Sequence, residues 1–210
     1  MAEHELTLPL SRDDIDRLIC GDTVFLTGEI FATAGMPTHD RLLGCLDGVE
    51  PLPFDFSGGA LFHLGSLIED GADGTPNIRY MNPTTSTRFN VHMPRLIPGL
   101  DLRMTGGKGG LDANCASVMA ENGCVYLSFL GGGAQIITAA IHRVIAIGWP
   151  ELISHYRIVK IEVERLGPLT VGIDAHGQSV YDQTKASALS RRDEILATMR
   201  AERTDDAASA

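Results

Sequence analysis

Lysine is nearly missing from this chain: three in 210 residues, against 27 carboxylates and a formal net charge of −10. Aromatic residues are scarce too, at 6% with a single tryptophan. A chain this acidic, with no series of stacking rings among its arginines, lacks the footprint of a nucleic-acid binder. The four cysteines (Cys20, Cys45, Cys115, Cys124) contain no C-x-x-C pair. Their spacing suits neither a zinc site, a disulfide scaffold nor an iron–sulfur cluster, so a reducing, cytoplasmic setting is expected. The longest uncharged run, Asn122 to Ile141, is cut by Gly131-Gly132-Gly133 and Gln135. It reads as a buried strand and a buried helix, not as a membrane span. The opening MAEHELTLPLS has neither the basic start nor the apolar block of a signal peptide. G-x-G-x-x-G, Walker A and G-x-S-x-G patterns are all absent, which removes the dinucleotide, phosphate-loop and nucleophile-elbow readings.

What is present is an ordinary globular balance, 44% apolar and 21% charged, enough for a sizeable core. The charge is unevenly placed. Residues 1–80 carry 14 acids against 4 arginines, whereas residues 81–110 hold Arg88, Arg95, Arg103 and Lys108 against Asp101 alone. A small cationic island in an acidic chain points to a small anion as ligand.

Periodicity and turn signals predict an α/β fold. A strand over Glu5–Leu10 precedes a helix capped by Ser11 and ending near Cys20. Thr23–Ala34 reads as a strand bulged at Gly28, and Pro37-Thr38 as the start of a helix. Residues 60–64 read as a buried strand and Glu69–Pro76 as a loop. A helix then opens at Thr84 or Ser86 and runs towards Pro94 or Pro98. A strand at Leu100–Thr105, a helix at Gly110–Asn122 and a strand at Cys124–Leu130 follow. An apolar helix is expected over Ala134–Ile147, strands around Tyr156–Glu164 and Leu169–Ile173, and a polar helix over Lys185–Glu202. Residues 1–203 read as one domain with a possible second small sheet in its strand-rich front, and 204–210 as a disordered tail.

Two segments carry chemistry. In Asn82-Pro-Thr-Thr-Ser-Thr-Arg88, hydroxyl residues behind a proline suit a helix N-terminus, where unpaired N–H groups and the dipole attract anions. Arg88 falls one turn after Thr84 and Thr85, so its guanidinium can face the same pocket. The second is Gly106-Gly-Lys108-Gly-Gly110. So many glycines fit a tight turn or a close approach to a ligand, and equally a flexible surface loop. A strand ending at Thr105 would set Lys108 in the crevice at a strand's carboxyl end. His63, inside an apolar run, reads as a satisfied core histidine.

Taken in order, Gly21-Asp-x-Val-x-Leu-Thr-Gly28, His39-x-Arg41-Leu, Pro83-Thr84-Thr85-Ser-x-Arg88, Lys108-Gly-Gly110 and Gly167-Pro-Leu-Thr-Val-x-Ile-Asp174 resemble the β subunit of class I fumarases and L(+)-tartrate dehydratases. The resemblance runs from about Leu8 to the C-terminal helix. It implies a swivelling β/β/α domain with mixed sheets flanked by helices, and a separate subunit rather than part of a fused chain. It implies a hydro-lyase acting on a 2-hydroxy dicarboxylate in a probable α2β2 assembly. A [4Fe–4S] cluster would be held by three cysteines of the α subunit, its open iron acting as Lewis acid on the departing hydroxyl, with no metal ligand in this chain. By the same resemblance Thr84 is the base that takes the C3 proton and His39 has an active-site role. Thr85, Arg88 and Lys108 contact substrate, the two cations clamping carboxylates and stabilising the aci-carboxylate. The family's A-R-D-x-x-H is here Ala34-Gly35-Met36-Pro37-Thr38-His39. Gly35 and Met36 are expected to line the pocket. The departure leaves three outcomes open: a related hydroxy acid with an altered or alkylated distal part as substrate, Arg41 or an α-subunit cation supplying the missing charge, or a copy that has lost activity. A second reading keeps the fold as a non-catalytic anion-binding or assembly subunit.

Overall fold

The computed structural model describes residues 1–72 and 74–208. β1 (Glu3–Thr7) is followed by α1 (Arg12–Asp16), where Ser11 and Asp14 form a reciprocal capping box. β2 (Thr23–Ala32) runs parallel to β1 and leads into α2 (Met36–Leu46), with Pro37 in its first turn. β3 (Ala60–Phe62) precedes an antiparallel hairpin of β4 (Leu64–Asp70) and β5 (Pro76–Pro83), the second small sheet. Asp73, in the loop expected over Glu69–Pro76, lies outside the described residues.

β6 (Met104–Gly107) and β7 (Val125–Ser128) flank α4 (Ala113–Asn122), which is N-capped by Asp112 and ends on Gly123 in the left-handed region. β1, β2, β3, β6 and β7 are successively parallel. β9 (Ile158–Ile173) runs antiparallel to β7, to β2 and to β8 (Ile141–Gly148). The pairing β2–β3–β6–β7–β9 therefore closes back on β2. The expected bulge in β2 is present, with register shifts on either side of Leu26. Gly28 there has φ +118°, and a Cβ would come within 3.1 Å of the Leu8 carbonyl oxygen.

Two hydrophobic clusters follow from strand alternation. One collects Leu26, Ile30, Phe62, Met104, Leu127 and Ile161 from the strands. The other seats Leu42, Phe89, Leu96 and Met119 of α2, α4 and the segment between β5 and β6 against Phe31, Leu61 and Tyr126. The result is a mixed α/β architecture flanked by helices.

Four expectations are corrected. The segment after Pro83 is not one helix: a 3-10 turn (Ser86–Phe89) is separated from α3 (Met93–Gly99), whose first turn holds Pro94. Proline lacks the N–H that a continuous helix would need there. The apolar stretch from Ala134 is a short helix, α5 (Ala134–Ala139), and then β8. Ile141, Val144 and Ile147 are β-branched and pair along β9 rather than continuing the helix. The two strands expected between Tyr156 and Ile173 are one, β9, which carries Arg165 at positive φ without breaking. The last helix, α6 (Val180–Ala208), is longer than expected and continues past Thr204, where the sequence suggested a tail. Residues 209–210 of that tail lie outside the described residues. No helix among the described residues is long and apolar enough to cross a membrane.

Candidate active site

The site grows from the carboxyl ends of β3 and β6, where chain leaving neighbouring parallel strands opens a crevice. His63 follows β3, and its N–H donates to the Gly106 carbonyl at 2.7 Å. Its own carbonyl accepts from Thr84 N–H at 2.8 Å. The Thr84 carbonyl in turn accepts from Lys108 N–H at 3.0 Å, and the Lys108 carbonyl from Ser86 N–H at 2.8 Å. Thr85 and Lys108 thus form a parallel bridge between two loops that are distant in sequence. Gly107 permits the approach, since a Cβ there would sit 3.0 Å from the Thr84 carbonyl oxygen and 3.1 Å from His63 Cβ. Gly109 and Gly110, at φ +82° and +77°, turn the chain sharply behind the lysine.

On this frame the Arg88 guanidinium donates through Nη2 to the Thr84 hydroxyl oxygen, and through Nε to the Thr85 carbonyl at 3.4 Å. A cation donating to a hydroxyl oxygen stabilises its ionised form. Arg95 is paired with Asp47, and Arg103 with Asp101. Of the cationic island, Arg88 and Lys108 are therefore the two with no carboxylate within ion-pair distance among the described residues. Both are exposed.

The arrangement of these residues rests on this bridge and not on a helix end. The 3-10 turn is four residues long, and its N-cap, Thr85, makes no side-chain cap hydrogen bond. The expected capping by Thr84 or Ser86 is absent: the Thr84 hydroxyl is bound by Arg88, and the Ser86 hydroxyl by His63 and Tyr126. Ser86 is instead buried at the centre of a polar cluster. Its Oγ accepts from the Tyr126 hydroxyl at 2.9 Å and pairs with His63 Nδ1 at 2.8 Å. The Tyr126 oxygen accepts from Gly110 N–H at 3.3 Å. Sequence reasoning missed Ser86, His63 and Tyr126 as contributors. The one available signal was a histidine, His63, inside an apolar run.

His39 does not face an open pocket. It is fully buried, stacked on Phe89 at 4.0 Å between ring centroids, with His63 at 5.3 Å and His92 at 5.6 Å. Its Nδ1 pairs with the Gly35 carbonyl at 2.7 Å, and Nε2 has no partner. Burial pushes its pKa down to about 4, so the ring is neutral. His63 is lowered well below the usual value by burial and then by His39. Its Nε2 is also unpaired, so it is core but not fully satisfied.

Arg41 is drawn elsewhere. It is paired with Glu50 and Glu151 at 2.5 Å each and lies 4.6 Å over the Trp149 ring. Two local carboxylates take the charge it was expected to offer the substrate. Gly35 and Met36 also fail to line the cleft beside Thr84. A Cβ at Gly35 would lie 3.0 Å from Tyr156 Cα and closer still to the Thr38 hydroxyl, and Met36 packs against the helix-side core.

The four thiols do not fit an iron–sulfur cluster. No group of three or more His, Cys, Asp or Glu among the described residues could hold a metal ion. Burial raises Cys20 to about 11 and Cys115 to about 12, and pushes Cys124 up further. Such thiols resist the ionisation that cluster ligation needs.

Fold and site together define an α/β domain that presents a cation-bound threonine hydroxyl and a free ammonium at the ends of parallel strands. The chain belongs to the family described as the fumarase C-terminus, whose pattern matches residues 2–184. It is 28% identical over 196 residues to the L(+)-tartrate dehydratase subunit beta of Escherichia coli strain K12, covering 91% of this chain and 92% of that one. It is 29% identical over 188 residues to a Methanocaldococcus jannaschii protein provisionally given the same subunit name, covering 89% and 95%. A longer Geobacillus stearothermophilus protein, provisionally named fumarate hydratase class I, is 27% identical over 191 residues; these cover 89% of this chain and 35% of that protein.

Proposed function

We propose that this chain supplies the proton-removing and carboxylate-gripping half of a hydro-lyase that takes water from a 2-hydroxy dicarboxylic acid. Family membership makes it a β-type subunit of the tartrate dehydratase and class I fumarate hydratase kind. The observation that carries the catalytic reading is the bridge that sets the Thr84 hydroxyl, the Arg88 guanidinium and the Lys108 segment together.

In this reading Thr84 Oγ1 takes the proton from the carbon next to a carboxylate. A threonine hydroxyl is a very weak base, so the Arg88 N–H bound to its oxygen is what makes an alkoxide accessible. Arg88 and Lys108 hold the substrate's carboxylate and stabilise the extra negative charge it gains as the proton leaves. Thr85 contacts the substrate beside them. His39 acts at one remove, as a neutral ring supporting Phe89 and the 3-10 turn that carries Arg88. The iron–sulfur cluster belongs to an α partner, in an α2β2 assembly in the cytoplasm, and the domain is of the swivelling β/β/α type.

The test is co-expression with the α partner, anaerobic cluster reconstitution, and assay of fumarate, mesaconate, tartrate and citramalate. Thr84→Ala is expected to lower kcat by roughly 10²–10⁴-fold, the usual contribution of a positioned base, while the complex still assembles. A cluster-loaded complex that transforms none of the four, with Thr84→Ala binding them as the wild type does, overturns the catalytic reading.

A further inference from the structure

Thr84 belongs to the bridge and also to the wall of a separate cleft of about 290 Å³. The larger groove on the molecule, about 610 Å³ between β5 and β8, shares no residue with the site. The walls of the smaller cleft include Ala34, Gly65, Leu67, Tyr80 and Pro83. No lysine or arginine lines it; Arg88 and Lys108 lie outside its wall.

We infer that this cleft receives an uncharged branch on the carbon whose proton Thr84 removes, so that the preferred substrate is a 2-hydroxy dicarboxylate alkylated at that carbon. The inference rests on the proposed function, since it takes Thr84 to be the base.

A base must come within about 3–3.5 Å of the reacting atom. Whatever else that carbon carries must then occupy the space adjoining Thr84, and this cleft is such a space. Its character follows from its walls. The side chains of Ala34, Leu67 and Pro83 and the Tyr80 ring offer apolar surface, each methylene buried there being favourable. A carboxylate would lose hydration with no cation to replace it. Ser154, at the rim, donates to the Ser66 carbonyl at 3.0 Å and accepts from Ile68 N–H at 3.0 Å, so its hydroxyl is already engaged. His155 and Tyr80 are titratable lining groups, and Ser66 and Asn82 add uncharged polar groups to the wall; the His155 ring lies 4.4 Å from that of Tyr156. Gly65 keeps the cleft open, because a Cβ there would stand 3.3 Å from Ala34 Cβ and 3.5 Å from His155 Cβ. Gly35 next door has no room for a longer, charged side chain that could reach in.

The experiment uses the reconstituted αβ complex. Three 2-hydroxybutanedioates are compared by calorimetric binding and by turnover: unbranched, C3-propyl and C3-carboxymethyl. The propyl compound is expected to bind at least about tenfold tighter than the carboxymethyl one. Gly65→Val, which fills the cleft, and Leu67→Glu, which charges it from a half-exposed position, should each lower the propyl-to-unbranched affinity ratio at least about tenfold. Preference for the carboxymethyl compound, or a ratio unchanged in both variants, overturns the inference. The two readings fail separately. Turnover of the unbranched acid with no binding of the propyl one leaves the hydro-lyase standing and removes the cleft. Propyl binding that responds to both variants without any turnover does the reverse.

Discussion

Lys108 donates its backbone N–H to the carbonyl of Thr84 at 3.0 Å, so the lysine's position is fixed by main chain while its side chain is left free. The ammonium has no carboxylate partner among the described residues. A residue built this way contributes little to folding, and in the proposed function it serves an anion placed beside Thr84. Lys108→Met should therefore shift stability by no more than about 0.5 kcal/mol, as for other exposed positions. It should lower kcat/KM of the assembled complex by roughly 10²-fold or more, the loss typical of a missing charge-stabilising donor. Thermal melting and steady-state kinetics on the same preparation check this. A fall in melting temperature large enough to explain the lost activity contradicts it.

Tyr126→Phe probes the buried side of the same frame. The hydroxyl donates to Ser86 Oγ and accepts from Gly110 N–H, both in the interior. Removing it leaves Gly110 N–H without a partner, at a cost of about 1–3 kcal/mol. The Ser86 loop and the glycine-flanked Lys108 loop lose one of their ties. We expect a clear loss of stability together with a rise in KM, because the Lys108 loop is then less well held. A variant as stable as the wild type would mean that the cluster does not tie the loops together.

Which parts of this were readable beforehand follows from the kind of interaction involved. Thr84, Arg88 and Lys108 stood out as candidates because their residue types are unusual where they stand: hydroxyls behind a proline, and one of three lysines among glycines. The bulge at Gly28 and the capping box at Ser11 were legible because they are local. The Ser86–His63 and Ser86–Tyr126 bonds join positions 23 and 40 residues apart, and no local pattern encodes such a pairing. β8 was hidden for a related reason. Ala134 to Ile147 is rich in apolar residues in both halves, and only the presence of β9 alongside decides that its second half extends. The charge island misled in part, because sequence could not show that Asp47 and Asp101 neutralise two of its arginines.

Gly35→Arg tests the corrected position of that glycine. If the residue lined the pocket, an arginine there would restore a carboxylate-binding charge. The structure instead sets Tyr156 Cα 3.0 Å from the new Cβ, with the Thr38 hydroxyl nearer still. Overpacking of this kind typically costs about 1–3 kcal/mol. The expected outcome is a lower melting temperature with no gain in affinity for dicarboxylates. A stable variant that binds succinate more tightly would show that the α2 entry moves aside and that Gly35 belongs to the site.

The buried imidazoles set the acid limit of the fold. In the unfolded chain a histidine takes its proton near pH 6.5. In the folded chain His39 takes it only near pH 4, because burial disfavours the charged ring more than the Gly35 carbonyl and Asp40 favour it. His63 is shifted in the same direction. Between those two pH values the unfolded state binds more protons, so stability is full above about pH 6.5 and falls as the pH drops towards 4. Each imidazole contributes a slope of up to about 1.4 kcal/mol per pH unit in that window. Carboxylates such as Asp22, held ionised by backbone and His4 hydrogen bonds, add to the loss only at lower pH, where their unfolded forms protonate. Urea titrations of the chain from pH 7 to pH 5 should show the decline, and His39→Asn should remove roughly half of its slope, one imidazole of the two. A slope that His39→Asn leaves untouched would mean that this ring takes its proton as readily in the fold as outside it, and that His39 is open to solvent and to substrate after all.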